Sequence, residues 1–415
     1  MSSNPCVALL GTCDTKLEEL LFLRDKIKHN NVDVVLIDVG RTPTEHDAIT
    51  YNQRCLLSDF GDGKDVGDMS RGEFVKAMTI CAANAVRKLS GDGHIHALAN
   101  AGGSSGTSLS AEVMRTALPI GFPKLIVSTI ASGDTGPLVG ETDITMMYSV
   151  VDVAGLNQVL RNVLSNAGAA ISGMARSYAS RSQNATQSQK KRVGITMFGV
   201  TTPAVDAIRK HMEANYDIET YVFHATGHGG RAMERLIREG GLDAVLDLTT
   251  TEICDYLTGG VMSAGEHRLE AAAQAGIPNI VSVGATDMTN FGPKETIPER
   301  YKGRKLHEHN HVVTLMRTSV DEATQVGDFI AAQLKTHAKR PEAVQVWFPK
   351  GGISMIAAPG GPFEDAKADA ALFDAVRNGL RTSGIEIVED DRAINDKGYA
   401  HDIAEALVAK MGLRT

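Results

Sequence analysis

The sequence predicts an α/β protein of two Rossmann-like domains, each a mostly parallel sheet flanked by helices, and three observations carry that reading. Short, nearly unbroken apolar runs such as Val32 to Val39 and Lys124 to Thr129 have the pattern of strands buried on both faces. They alternate with segments of helical period, as a doubly wound sheet requires. The alternation halts once, in the polar stretch Ser177 to Lys191, and restarts at Val193. A chain of 415 residues is also longer than one ordinary core supports. The expected division is therefore 1–176 for a nucleotide-binding domain, 177–191 for a linker and 192–415 for a second domain with a substrate site.

The first strand, Cys6 to Leu10, runs into Gly11-Thr12-Cys13-Asp14-Thr15-Lys16, and Leu17, Leu20, Leu21, Leu23 and Ile27 then mark a helical face. Thr12 or Asp14 can simply cap that helix. The sharper reading places Gly11, Thr12, Asp14 and Lys16 beside a phosphate, with Lys16 as its cation. The second strand ends in Asp38 and Gly40, where a carboxylate reaches a ribose hydroxyl in doubly wound nucleotide folds. Residues 41–72 hold few apolar positions and read as a long loop with little secondary structure. A helix from Arg71 to Leu89 leads to the strand Ile95 to Ala101.

That strand ends in the stretch around which the first domain is organised, Gly102-Gly103-Ser104-Ser105-Gly106-Thr107, with a helix expected to open near Ser108. Three glycines in five positions let backbone N–H groups approach an anion, and the hydroxyls of Ser104, Ser105 and Thr107 add donors. No Lys follows the last glycine, so this is not a Walker A loop, and it departs from the dinucleotide fingerprint. A purely structural turn is the competing reading. After Lys124 to Thr129 comes a third polar loop with Ser132, Gly133 and Asp134, the last either a Mg²⁺ ligand against phosphate oxygens or a solvated carboxylate. Loops at the carboxyl ends of parallel strands share one crevice, so Thr12, Asp38, Gly102 and Ser132 are expected to be neighbours.

In the second half, the strand-end loops carry His224, His228, Glu252 and Asp287, groups suited to acid–base work on a small polar molecule. Each is equally explained one at a time by capping or solvation. Gly227, Gly229 and Gly230 form a second candidate anion nest. His307, His309 and His311 alternate and would share one side of an extended segment, but no ligand spacing matches a closed zinc pattern and no metal ligand is assigned.

Composition narrows the function classes. A net charge of −8 argues against a nucleic-acid surface. Five widely spaced cysteines without a CxxC read as reduced thiols of a cytoplasmic protein. No leader pattern follows Met1, and no apolar run approaches the roughly 18 residues of a membrane span. The helix face Leu156 to Leu164 is more apolar than a monomer is expected to expose, which points to a homo-oligomer.

Several stretches together, Gly11 to Lys16, Gly102 to Thr107, Ser128 to Asp134, His224 to Met233 and Thr314 to Thr318, resemble the family typified by the N-terminal ATP-binding half of the tomato mosaic virus resistance protein. The resemblance runs from about Cys6 to about Ala409. It implies two Rossmann-like domains, ATP held by the first, and self-association. Plant members continue into an enzyme-like barrel region that these 415 residues do not include. The chain departs from the family pattern at Ala393 and Lys397, where His and Pro are expected. The functional expectation is an ATP-binding two-domain enzyme, with Mg²⁺ as a companion ion, acting on a small polar substrate between the domains. The alternative is a binding or assembly module that uses ATP without catalysis; a nucleotide-sugar epimerase or glycosyl transferase is a third class.

Overall fold

The computed structural model describes residues 4–61, 66, 68–184 and 189–413. It divides into two compact units, Met1–Gln187 and Ser188–Thr415. In the first, the order is β1 (Cys6–Gly11), α1 (Cys13–Lys28), β2 (Asp33–Asp38), β3 (Ile49–Tyr51), α2 (Gln53–Phe60), α3 (Arg71–Gly91), β4 (Ala97–Gly102), α4 (Ser104–Ala117), β5 (Lys124–Ser128), α5 (Gly136–Val139), β6 (Thr145–Tyr148) and α6 (Gln158–Asn184). The six strands pair in parallel in the order β3-β2-β1-β4-β5-β6. Every residue of β1, β4 and β5 is buried, because helices cover both faces of the sheet. Leu10, Ile37 and Leu98 pack on one face against Met78, Val86 and Met114. Leu9, Leu36 and Ala99 pack on the other against Leu20, Leu164 and Ile171. The chain reverses its direction of travel across the sheet between β1 and β4, which makes that gap the topological switch point where such folds bind ligands.

The second unit contains β7 (Lys191–Met197), α7 (Thr202–Asn215), β8 (Ile218–His224), α8 (His228–Arg238), β9 (Ala244–Thr249), α9 (Glu252–Thr258), α10 (Glu270–Ala275) and β10 (Asn279–Gly284). It continues with β11 (Met288–Phe291), β12 (Leu306–Asn310), β13 (Val313–Arg317), α11 (Val320–His337), β14 (Val344–Pro349), α12 (Ala366–Leu380), β15 (Glu386–Asp390) and α13 (Lys397–Lys410). Six strands form a parallel sheet in the order β15-β14-β10-β9-β7-β8. The antiparallel set β11-β13-β12 forms a separate small sheet.

The two Rossmann-like sheets are those the sequence predicts, and four local expectations are corrected. The segment 41–72 is not simply a loop. It holds β3 and α2, whose N-cap Asn52 accepts the Cys55 N–H, while residues 62–65 and 67 of that stretch lie outside the described residues. Helix α4 starts at Ser104, four residues before the expected Ser108, because Gly103 already serves as its N-cap. The polar stretch 177–191 is helical to Asn184 and becomes β7 at Lys191, with 185–188 outside the described residues. Ala179 within it and Ala175 just before it are buried, and Tyr178 meets Phe122 edge-on at 4.9 Å. Finally, of the apolar face Leu156 to Leu164, Leu160 and Leu164 are buried and Leu156 and Val163 half-buried within their own unit, which leaves Val159, 43% exposed, as the part of it open to solvent. All five cysteines are thiols rather than disulfide partners. Among the described residues no helix is long and apolar enough to cross a membrane.

Candidate functional site

At the switch point of the first sheet lies a cavity of about 720 Å³, within the roughly 300–1,000 Å³ usual for small-molecule sites. Two strand-to-helix junctions build it. One is Thr12, Asp14, Thr15 and Lys16 where α1 begins, and the other is Gly103, Ser104, Ser105 and Gly106 where α4 begins. Val39, Phe74, Val75 and Leu109 supply apolar wall, and Arg41, Arg71, Thr129 and Asp152 complete it.

The α4 junction has the features of an anion cradle. No side chain caps the helix, so its first N–H groups and the positive end of its dipole are left to whatever enters the cavity. Gly103 has an ordinary φ of −82°. A Cβ at Gly103 would come no nearer than 3.9 Å to any protein atom, and one at Gly106 would meet nothing within 4 Å. Neither backbone strain nor protein packing requires glycine at these two positions; the space they leave belongs to the cavity.

Three cations line the same wall. Arg71 donates from Nη2 to Ser105 Oγ at 3.1 Å, Arg41 donates to the Met69 carbonyl at 2.8 Å, and neither they nor Lys16 forms an ion pair among the described residues. Asp14 is partly committed, since its Oδ2 accepts the N–H groups of Arg41 and Thr42 at 2.9 and 3.1 Å. Asp152 carries no such bonds among the described residues.

Of the residues singled out in the sequence, Thr12, Asp14, Lys16, Gly103, Ser104 and Gly106 stand in the cavity wall, while Gly11, Asp38, Gly102, Thr107, Ser132 and Gly133 do not. Gly11 is required by packing, because a Cβ there would collide with the Leu20 side chain. Asp38 is fully buried, and its Oδ1 accepts the N–H groups of Cys13 at 2.9 Å and Gly40 at 2.8 Å. It staples two strand ends together, and burial raises its pKa despite those bonds. The Thr107 hydroxyl is turned inward to Ser128 Oγ at 2.7 Å. Ser132 and Gly133 lie in an exposed turn, and the Asp134 carboxylate accepts the Gly136 N–H. Arg41 and Arg71 were not singled out in the sequence. Each sits just past a structural stop, Gly40 and the N-cap Ser70, and that adjacency is the only local signal of their placement.

In the second unit the four candidate residues do not converge. His224, at the end of edge strand β8, is exposed, with its ring 5.6 Å from that of Phe198. His228 opens α8 on the surface, its Nδ1 3.0 Å from an Arg231 guanidinium nitrogen. Glu252 is completely buried, and all its hydrogen-bonding capacity is directed inward. Its Oε1 accepts the N–H groups of Gly227 and Gly230 at 2.7 and 3.0 Å, and its Oε2 accepts from Arg268 Nε at 2.8 Å. The glycine nest at the start of α8 is therefore filled by the protein's own carboxylate. A Cβ at Gly230 would overlap that carboxylate, which is why glycine is needed there. Arg268, also buried, further bridges Asp247 through both terminal nitrogens and reaches Glu234 at 3.5 Å. His307 lies beside Phe363, and His309 and His311 are exposed. The β12 register slips between Glu308 and Asn310, so the three imidazoles do not form one row.

Models of one family match both units: the N-terminal domain of the uncharacterised protein family UPF0261 over residues 5–180 and its C-terminal domain over residues 190–411. The chain belongs to the UPF0261 family. A UPF0261 protein of Clostridium tetani is 42% identical and covers 98% of this chain and 99% of its own length. The tomato protein named ToMV susceptible protein tm-1(GCR26) is 41% identical over 98% of this chain, which spans 56% of that protein's length. Among solved structures, MurG of Acinetobacter baumannii is 12% identical with a TM-score of 0.23, covering 98% of this chain and 93% of its own. A putative UDP-N-acetylglucosamine 2-epimerase of Listeria monocytogenes is 13% identical with a TM-score of 0.22, covering 93% and 100%.

The remaining candidate in this UPF0261 chain, Asp287, is fully buried; Ser354 Oγ donates to its Oδ2 at 2.9 Å and its Oδ1 has no partner among the described residues. Burial pushes its pKa up to about 7, against the pull of Arg317, and burial likewise pushes Asp255 up to about 7. Below that pH the folded chain keeps protons on these carboxyls that the unfolded chain releases near pH 4, so the stability these two groups contribute is lost as the pH rises from about 4 to about 7. Asp287→Asn is expected to reduce that slope, leaving the part due to Asp255, and to raise the urea midpoint relative to the parent at about pH 8. Parallel urea midpoints for parent and variant between about pH 5 and pH 8 would contradict this assignment.

Proposed function

We propose that the first unit binds ATP in the switch-point cavity, that the protein works in the cytoplasm, and that it uses the nucleotide in chemistry on a small polar substrate. The observation that carries this is the combination of open glycines at an uncapped helix start with three cations that form no ion pair among the described residues. Gly103, Ser104 and Gly106 then receive phosphate oxygens, Lys16, Arg41 and Arg71 balance their charge, and Val39, Phe74 and Leu109 supply apolar surface for the base. Asp152 lines the cavity and Asp134 does not, so Asp152 would be the carboxylate to hold a Mg²⁺ on the phosphates. Calorimetric titration with ATP, ADP, AMP and adenosine tests the reading: affinity is expected to rise with phosphate number. Lys16→Ala or Arg71→Ala should weaken ATP by about tenfold or more, as loss of a charge-assisted hydrogen bond does, and leave adenosine nearly unaffected. Equal losses for ATP and adenosine would overturn the placement of the phosphates. A nucleotide sugar that displaces ATP at comparable concentration would move the reading to epimerisation or glycosyl transfer.

A second reading, in which ATP is an effector of binding or assembly, is favoured by the burial of Glu252 and Asp287, which takes both carboxylates away from solution acid–base work. Appearance of ADP, AMP or pyrophosphate with a candidate substrate decides for chemistry. Family resemblance adds self-association to the proposal; a light-scattering mass of one chain at micromolar concentration would refute it.

A further inference from the structure

Helices α7 and α13 pack side by side in the second unit, and their contact brings together a set of side chains that the nucleotide reading does not use. We propose that His211, His401 and Glu405, whose ligating atoms all lie within 4.8 Å of one another, form a site for a divalent ion of the zinc class. His401 and Glu405 stand one turn apart on α13 and so share a face. His211 comes from the facing helix α7, with its ring centroid 4.5 Å from that of His401 and its Nε2 hydrogen-bonded to Glu405 Oε1. Two imidazoles and a carboxylate are a donor set that suits Zn²⁺ and its first-row neighbours.

The surroundings orient these groups as outer partners of a metal site do. Asp402 Oδ1 lies 3.0 Å from His401 Nδ1, which leaves the Nε2 of that ring for a ligand. The Asn215 side chain lies 3.3 Å from His211 Nδ1. Tyr216 donates its hydroxyl to both Glu405 oxygens at 2.8 Å. Bonds of about 2.0–2.1 Å to a tetrahedral ion would place neighbouring donors about 3.4 Å apart, so small side-chain rotations close the set. The entering ion takes the place of the hydrogen bond between His211 and Glu405; a neutral His211 then carries its single ring proton on Nδ1, whereas an imidazolium would give up its Nε2 proton to solvent. The His401 side chain is 55% exposed, which gives water access to the fourth position. A simple His211–Glu405 hydrogen bond accounts for two of the groups but not for the third, already braced by Asp402.

The test uses the tag-free, chelator-washed chain of 415 residues with Co²⁺ and then Zn²⁺ as probes. One Co²⁺ per chain is expected to bind with visible ligand-field absorption, to be displaced by Zn²⁺, and to raise the Tm. His401→Ala, on an exposed helix face, is expected to keep the metal-free circular dichroism and Tm and to lose at least tenfold in Co²⁺ affinity. Glu405→Gln, which can still accept from Tyr216, should do the same, whereas His309→Ala should bind like the parent. Absence of the absorption band in the parent, unchanged affinity in both site variants, or loss of binding in His309→Ala would each overturn the proposal.

Discussion

Replacing Gly103 by Val is expected to abolish ATP binding, by at least a hundredfold in affinity, while the protein stays folded. The expectation rests on two features of the site. Gly103 has φ −82°, a value valine adopts freely, so the substitution carries no left-handed strain. Its nearest neighbour in the Cβ direction is Thr129 Oγ1 at 3.9 Å, so the new side chain has room in the protein and occupies the cavity instead. The one folding cost is the exchange of a tolerated N-cap for a poor one, about 1 kcal/mol. Phosphate, by contrast, would have to approach the Ser104, Ser105 and Gly106 N–H groups through the added methyls. Calorimetry with ATP, read beside a thermal melt, separates the two effects. Parent-like affinity in a folded Gly103→Val protein would remove the cradle from the proposed function.

What the sequence discloses about this protein follows from how local each signal is. Runs such as Val32 to Val39 declare themselves as strands because burial on both faces leaves no polar alternation, and the two parallel sheets could be anticipated from them. Strand order could not, since pairing of β1 with β4 is a contact across about ninety residues. The small antiparallel sheet is illegible for a different reason: Thr289, Asn290 and Thr314 are buried polar residues on strands, so apolar patterning misreads them. In the first unit the glycine stretch was visible because its composition is unusual, whereas the direction of Arg41 and Arg71 depends on where the chain turns before them. Glu252 shows the limit most clearly. As a sequence it is a carboxylate in a strand-end loop, the setting of many catalytic groups. Its buried, inward-facing setting is fixed in part by Arg268, sixteen residues further on, which a local pattern does not connect to it.

That pairing leads to the largest expected effect on stability. Arg268 is fully buried and faces three buried carboxylates: Glu252 through Nε, Asp247 through both terminal nitrogens, and Glu234 at 3.5 Å. The carboxylates are otherwise tied to backbone and hydroxyl donors, Glu234 to the N–H groups of Leu269 and Ala271 at 2.7 Å each and Asp247 to Thr196 Oγ1 at 2.8 Å. Arg268→Met would fill much of the volume but leave the negative charges without their cation, and breaking a buried pair in this way costs about 3–5 kcal/mol. The loss should shrink as the pH falls, because the unpaired carboxyls in the folded variant take up protons that the unfolded chain does not, and each proton removes a buried charge. Already in the parent, burial holds Glu234 above the usual carboxylate range even with Arg268 in place. Urea unfolding of the second unit at about pH 7 and about pH 5 reads both effects. A variant as stable as the parent at neutral pH would mean that the network contributes nothing to folding. Glu252→Gln then distinguishes the two roles open to that residue. As a structural group, it should lower the unfolding midpoint by removing the charge opposite Arg268 Nε, with any loss of turnover tracking the loss of folded protein. As an acid–base group it should lose turnover by orders of magnitude at unchanged stability, and the inward-facing bonds of its carboxylate make the first outcome the expected one.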